Sequence, residues 1–397
     1  MSVDFNREVD RRSTSDVKWR PEGLKGYLPI EVSENEIPMW IADMDFACPE
    51  CIVRAIKERA DKEIFGYCSY KQEYYDALTW WFDKRFGMKI HTDLVSMMPT
   101  VVSAINVAIR AFSNPGDKVI IQQPVYDPFA ELIKKTGRVM VNNGLICNDG
   151  LYEMDFPLLE EQAADPDAKI MILCSPHNPV GRVWTKEELA RVGEICKKNN
   201  VLVIADEIHS DLVYAGYVHT PFALASDAPH LVCTSLGKTF NVAGLRLANI
   251  FSSSAELKKQ YDQEIDAYSY SASNTFGLEM VQAAYSPEGE AWLEELLVYL
   301  QGNVEVVSEW CQKHNVGFTA PQGTFLCWLD LASAGLTDEE IIKKIIMGKE
   351  VICVPGPWFG KGGEGHLRLN IGCTRKTLVE ALDRIASVLN NKFKKST

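Results

Sequence analysis

Between about residues 50 and 285 the apolar positions change period repeatedly, alternating helix-spaced stretches with short β-branched runs. That alternation is how a largely parallel sheet covered by helices reads. Lys118–Ile121, Ile170–Cys174, Val201–Ala205 and Leu231–Thr234 are apolar at consecutive positions, as strands buried on both faces should be. Between them a helix is expected from Thr185 to Asn199, with Thr185 and Glu188 at capping-box spacing. Past Gly289 the pattern changes. A long helical segment from about Trp292 to His314 leads to a strand at Thr324 to Asp330 and a helix opening at Thr337, with Glu340 as a second capping box. Strands at Val351 to Val354 and His366 to Ile371 and a C-terminal helix complete it. The first 45 residues, with Pro21, Gly23, Gly26, Pro29 and Pro38, are irregular and are expected to wrap over another surface.

The expected fold is therefore α/β, with a large, mostly parallel α/β/α domain and a smaller α+β domain. Residues 1–46 read as an N-terminal arm and part of the small domain, 47–288 as the large domain, and 289–397 as the small C-terminal domain. The length of 397 residues and 46% hydrophobic content suit an enzyme with a sizeable core. A formal charge of -13 argues against nucleic acid and anionic membranes as partners, and so toward a small ligand. The N-terminus lacks a basic segment followed by an apolar stretch, which reads as cytoplasmic. The 11 cysteines are odd in number and several lie within apolar strands, so no disulfide framework is implied.

Polar clusters follow three of the expected strands, where open α/β sheets place ligand sites. Ser175-Pro176-His177-Asn178-Pro179-Val180-Gly181-Arg182 follows the first, although Asn and Pro also favour plain turns. Asp206-Glu207-Ile208-His209-Ser210-Asp211 follows the second. Those side chains suit a divalent ion, but no second His or Cys group at ligand spacing accompanies them. A cofactor with a protonated ring nitrogen would instead need one buried carboxylate, which Asp206 can supply. The third cluster, Ser235-Leu236-Gly237-Lys238-Thr239-Phe240-Asn241, is followed by Gly244-Leu245-Arg246. Lys238 is a candidate amine nucleophile, since a nearby cation lowers a lysine's proton affinity, although a single lysine is ordinarily a solvated surface charge.

Several near misses narrow the chemistry. Gly237-Lys238-Thr239 resembles the end of a P-loop, but Val232 stands where the first glycine is required. Ser235 to Lys238 spells S-x-x-K, yet the K-T-G at Lys135 precedes it and no S-D-N is present, against serine acyl transfer. Gly360, Gly362 and Gly365 fit G-x-G-x-x-G, but His366 to Asn370 reads as a strand where a dinucleotide site needs a helix. Cys48-Pro49-Glu50-Cys51 is a lone C-x-x-C that reads as a helix start.

Taken in order, Asn178 in S-P-H-N-P-V-G-R, Asp206 in D-E-I-H-S-D, Lys238 in S-L-G-K-T-F-N and Arg368 in H-L-R-L-N-I-G resemble the signatures of fold-type-I pyridoxal-phosphate enzymes, the class I/II aminotransferase superfamily. Pro38 to Phe46, Phe65-Gly66-Tyr67 and Pro124 to Phe129 resemble more narrowly the cystathionine β-lyases, or carbon-sulfur lyases, of the MalY/PatB type. The resemblance implies pyridoxal 5'-phosphate as cofactor, joined to Lys238 as a Schiff base, with no metal. Asp206 would pair with the pyridinium nitrogen, Asn178 would bond the phenolic oxygen and Tyr126 would stack on the ring. Ser235, Arg246 and the amides near Val101 and Val102 would hold the phosphate. Arg368 and Ala42 would meet the substrate, with Arg368 taking its carboxylate. Tyr67 would reach across a homodimer interface to the partner's phosphate. His209 stands in the cofactor site where many aminotransferases have a tyrosine, which favours the lyase. The Leu236-Gly237 pair is not the commonest filling of its turn. The implied reaction is α,β-elimination of L-cystathionine or related cysteine S-conjugates to thiol, pyruvate and ammonia. An aminotransferase is the nearest rival, and a cofactor-binding regulatory protein a more distant one.

Overall fold

The computed structural model describes residues 3–20, 35–270 and 274–393. Its centre is a seven-stranded sheet: β1 (Val95–Met98), β2 (Lys118–Ile121), β3 (Val139–Asn142), β4 (Ala168–Cys174), β5 (Leu202–Asp206), β6 (His230–Thr234) and β7 (Ala248–Ser252). The strand order is β1-β7-β6-β5-β4-β2-β3. Neighbours from β6 through to β3 are parallel, whereas β7 runs antiparallel to both β6 and β1. All five residues of β5, β6 and β7 are buried, because helices cover both faces. The carboxyl ends of β2, β4, β5 and β6 consequently share one edge, and the three polar clusters follow them there.

The four expected core strands form within two residues of their sequence positions. Strands β1 and β7 carry no comparable signal. Val95-Ser96-Met97-Met98 and Ala248-Asn249-Ile250-Phe251-Ser252 interrupt their apolar residues with polar ones, and inside the protein Asn249 Oδ1 accepts a hydrogen bond from the Tyr74 hydroxyl. The expected helix at Thr185 is Lys186–Lys198, with the capping box to Glu188 formed in both directions.

A second sheet consists of β8 (Gly317–Phe318), β9 (Leu326–Asp330), β10 (Val354–Pro355) and β11 (His366–Asn370), in the order β8-β9-β11-β10 and antiparallel throughout. The strand expected over Val351 to Val354 is divided between two sheets. Val351–Ile352 pairs in parallel with Ile37–Pro38, and after Cys353 the chain joins β11. Helix Pro287–His314 begins ahead of the apolar periodicity noted from Trp292, because Ser286 accepts from the Gly289 amide and Pro287 fits the first turn. The helix opening at Thr337 makes its capping box, then winds as a π-helix over Ile341–Met347.

The N-terminal arm does lie on another surface. Phe5 packs edge-on against Trp292 and the Val3 amide donates to Glu295 at 2.7 Å, while within the arm Phe5 meets Phe46, and Arg11 and the buried Lys18 engage Asp43 and Asp45. Pro21, Gly23, Gly26 and Pro29 fall outside the described residues.

Candidate active site

Lys238 sits in the short helix Leu236–Thr239 that follows β6. Ser235 starts that turn: its Oγ accepts from the Gly237 amide at 3.1 Å and donates to the Leu247 carbonyl at 2.7 Å. A side chain at Gly237 would come within 3.2 Å of Ala243 Cα, so the close return of the chain toward Arg246 favours glycine there. Lys238 Nζ donates to the Ala42 carbonyl at 2.5 Å. Burial brings the lysine down to about 8; Arg368 adds to this, while Asp43 and Asp206 oppose it.

Asp206 ends β5 and is buried, accepting a hydrogen bond from the Ile208 amide at 3.1 Å. Burial pushes its carboxyl up to about 7, against that bond and the attraction of Lys238. Three residues on, in the turn that follows, His209 is buried with neither ring nitrogen hydrogen-bonded among the described residues. Burial, then Lys238 and Arg368, hold its imidazole down to about 3, so it stays neutral. From β11, Arg368 Nη1 donates to Asn178 Oδ1 at 3.1 Å and Nη2 to the Trp40 carbonyl at 2.6 Å, while the guanidinium lies 5.0 Å from the Phe359 ring. Its Nε has no partner. Burial lowers Arg368 to about 10, which leaves it a cation at neutral pH.

These groups line one cavity of about 500 Å³. Its floor is the start of helix Val101–Phe112, capped by Thr100, whose Oγ1 accepts from Ser103 N at 3.0 Å. The amides of Val101 and Val102 come before any intrahelical acceptor, and they line the cavity with Ser235 and Arg246. A helix start beside an arginine and a hydroxyl is an anion site. Tyr126 forms part of another wall, its phenol raised by burial and by Asp206.

Eleven of the twelve residues singled out in the sequence therefore meet: Ala42, Val101, Val102, Tyr126, Asn178, Asp206, His209, Ser235, Lys238, Arg246 and Arg368. Tyr67 does not; its side chain is fully exposed. Sequence reasoning missed Trp358 and Phe359, which line the cavity beside Arg368, and Asp43, whose charge acts on Lys238. Nothing in the local pattern marks Trp358 or Phe359, whereas Asp43 lies inside the Pro38 to Phe46 motif with no role given to it there; the fold brings all three in from segments distant from Lys238.

The family model for aminotransferase class I and II matches residues 34–385. The chain belongs to that family. It is 38% identical over 394 residues to cystathionine beta-lyase PatB of Bacillus subtilis, covering 98% of this chain and 100% of the relative. It is 32% identical to protein MalY of Escherichia coli, covering 98% of each. Among solved structures, the PLP-bound C-S lyase from Staphylococcus hominis superposes with a TM-score of 0.90 at 33% identity, over 98% of each chain. The fold is that of the fold-type-I pyridoxal-phosphate enzymes, as the motifs led one to expect. Within this family the cavity combines an anion-binding helix start, a buried carboxyl, an amine of lowered proton affinity and a buried arginine.

Proposed function

We propose that this chain is a pyridoxal-5'-phosphate-dependent carbon-sulfur lyase, which cleaves L-cystathionine or related cysteine S-conjugates to a thiol, pyruvate and ammonia. The observation that carries the reading is the convergence of Lys238, Asp206 and Arg368 on one cavity in a chain so similar to a named cystathionine beta-lyase.

The residues fit the cofactor. Asp206, its carboxyl pushed up to about 7 by burial, lacks a cationic partner in direct contact, and a protonated ring nitrogen is one. The Val101 and Val102 amides, Ser235 and Arg246 suit the phosphate, Asn178 the phenolic oxygen and Tyr126 a ring face. His209, neutral and with both nitrogens unpartnered, lines the same site. When bound, pyridoxal phosphate supplies an electron sink for negative charge developing at the substrate's α carbon.

The chain's own groups do the rest. Arg368 binds the substrate carboxylate and so orients the α carbon toward Lys238. An amine with a proton affinity near 8 is poised as a general base at neutral pH, and Lys238 Nζ takes the α proton. The β carbon-sulfur bond then breaks and the thiolate leaves. Trp358 and Phe359 line the cavity on the Arg368 side.

The reading extends to a cytoplasmic homodimer with the domain divisions at 46/47 and 288/289. Tyr67, Phe65 and Ile64 form an exposed apolar run suited to a subunit interface, from which Tyr67 reaches the partner's phosphate site. Sedimentation of wild type and Tyr67→Ala, with cofactor affinity measured alongside, tests that extension. Among the described residues no helix is long and apolar enough to cross a membrane.

The deciding experiment supplies purified protein with pyridoxal phosphate and L-cystathionine and follows pyruvate and free thiol together. Equal amounts of both, lost in Lys238→Ala, are expected. Keto-acid-dependent conversion of amino acids without pyruvate would replace the reading with an aminotransferase.

A further inference from the structure

The segment from Trp40 to Met44 runs along the cavity with every main-chain carbonyl held by a side chain from elsewhere. Arg368 holds Trp40, Asn370 holds Ile41 and Asp43, Lys238 holds Ala42, and Asn241 holds Met44. Lys18 and Arg11 add a second donor to the Asp43 and Met44 carbonyls, at 3.1 Å each.

Asn370 has a particular place in this arrangement. It lies in β11 two residues beyond Arg368 and is 1% exposed. Its Nδ2 donates to Ile41 O at 2.5 Å and to Asp43 O at 2.6 Å, its main-chain amide donates to Met39 O at 3.0 Å, and its Oδ1 accepts from Gly372 N at 2.8 Å. Both amide hydrogens are therefore spent on the carbonyls immediately before and after Ala42. With those two carbonyls pinned, the Ala42 carbonyl between them has a fixed direction, toward Lys238.

We propose that Asn370 is a positioning residue for Lys238: by gripping the carbonyls on either side of Ala42, it fixes the acceptor that aims the lysine's amine. A lysine amine on a four-carbon stem has many rotamers, and one fixed acceptor for one of its N–H groups restricts where the remaining hydrogens or lone pair point. The charges that act on the amine, Asp43 and Asp206 raising its proton affinity and Arg368 lowering it, do not fix its direction. Among the other titratable groups lining the cavity, His209 is held neutral and burial raises the Tyr126 phenol and the Cys174 thiol, so all three are uncharged, while Arg246 and Asp127 also line it.

The proposal rests on the base role given to Lys238, so its test includes a measurement independent of turnover. Asn370→Ala is compared with Asn241→Ala, which loosens the same segment farther on, at Met44 and Phe46. Cyanate modification of Lys238 in the cofactor-free protein is followed by peptide mass spectrometry across a pH series, and the holoenzyme is assayed with L-cystathionine. Losing the fixed acceptor disfavours the protonated amine, so the modification midpoint in Asn370→Ala shifts to lower pH. Its kcat falls about tenfold or more, with KM changed less than about threefold. Asn241→Ala keeps the wild-type midpoint. Asn370→Ser, which keeps one donor, falls between wild type and Asn370→Ala, and serves as the reading if Asn370→Ala does not fold. An unshifted midpoint in the Asn370 variants, or an equal shift in Asn241→Ala, overturns the proposal. A wild-type protein without lyase turnover removes the functional reading, while the modification midpoints still decide the role of Asn370.

Discussion

Arg368 and Asn178 share a hydrogen bond of 3.1 Å, joining the small sheet to the turn that leaves β4 of the large one. Two groups assigned to different ligands, a carboxylate and a phenolic oxygen, are thereby held in one rigid relation. On the proposed roles, substrate orientation and cofactor orientation would be set together.

Replacing Arg368 with Lys keeps the charge but loses the planar fork, and with it the simultaneous bonds to Asn178 and Trp40. KM for L-cystathionine should rise roughly a hundredfold, with a smaller fall in kcat. Steady-state kinetics on both variables check this, and an unchanged KM would remove Arg368 from carboxylate binding.

Asp206 carries a cost in the absence of cofactor. Its carboxyl, ordinarily near 3.8, is pushed up to about 7 by burial, so the native state holds a proton that the unfolded chain has lost between those values. Stability of the cofactor-free protein from this group therefore falls as pH rises from about 4 to about 7 and stays lower above that. Asp206→Asn should accordingly melt higher than wild type at pH 8 without cofactor, by an amount on the order of 4 kcal/mol at most, and should match it near pH 4. The same variant should lose most lyase activity. Calorimetry at the two pH values measures the first effect, and equal melting at pH 8 would contradict it.

Asp211 is buried beneath the lysine turn, accepting from Trp81 Nε1 at 3.0 Å and from Thr239 Oγ1 at 2.9 Å. Asp211→Ala leaves both donors unpaired inside the protein and should cost about 2–4 kcal/mol. Urea unfolding of the cofactor-free variant gives the value. A loss below about 0.5 kcal/mol would mean that water replaces the carboxylate.

The sequence disclosed those parts whose physics is local. Val201 to Ala205 is a continuous apolar run, Thr185 and Glu188 have the spacing a capping box needs, and the motifs containing Asn178, Asp206, Lys238 and Arg368 are contiguous strings. What it concealed depends on distant partners. Asn249 looks unlike a core strand residue until Tyr74 meets it. Val351 to Val354 looks like one strand, because nothing local says that its halves pair with Ile37–Pro38 and with β11. Asp43 lies within the Pro38 to Phe46 motif, but nothing local gives it a role, and only folding lets its charge act on Lys238 and pairs it with Arg11. Tyr67 is exposed and lies apart from the cavity, so it joins the expected site only if the proposed second subunit is present.

The grip of Asn370 on Ile41 and Asp43 spans 329 and 327 positions of chain. During synthesis the segment that aims the lysine leaves the ribosome early, and it waits for its holding residue until most of the polypeptide has followed. No nascent chain that stops short of β11 contains a finished site. On the proposed role of Asn370 the productive site is thus completed late in this protein's making, and premature termination between Ser252 and Asn370 would leave a large sheet whose lysine lacks that grip.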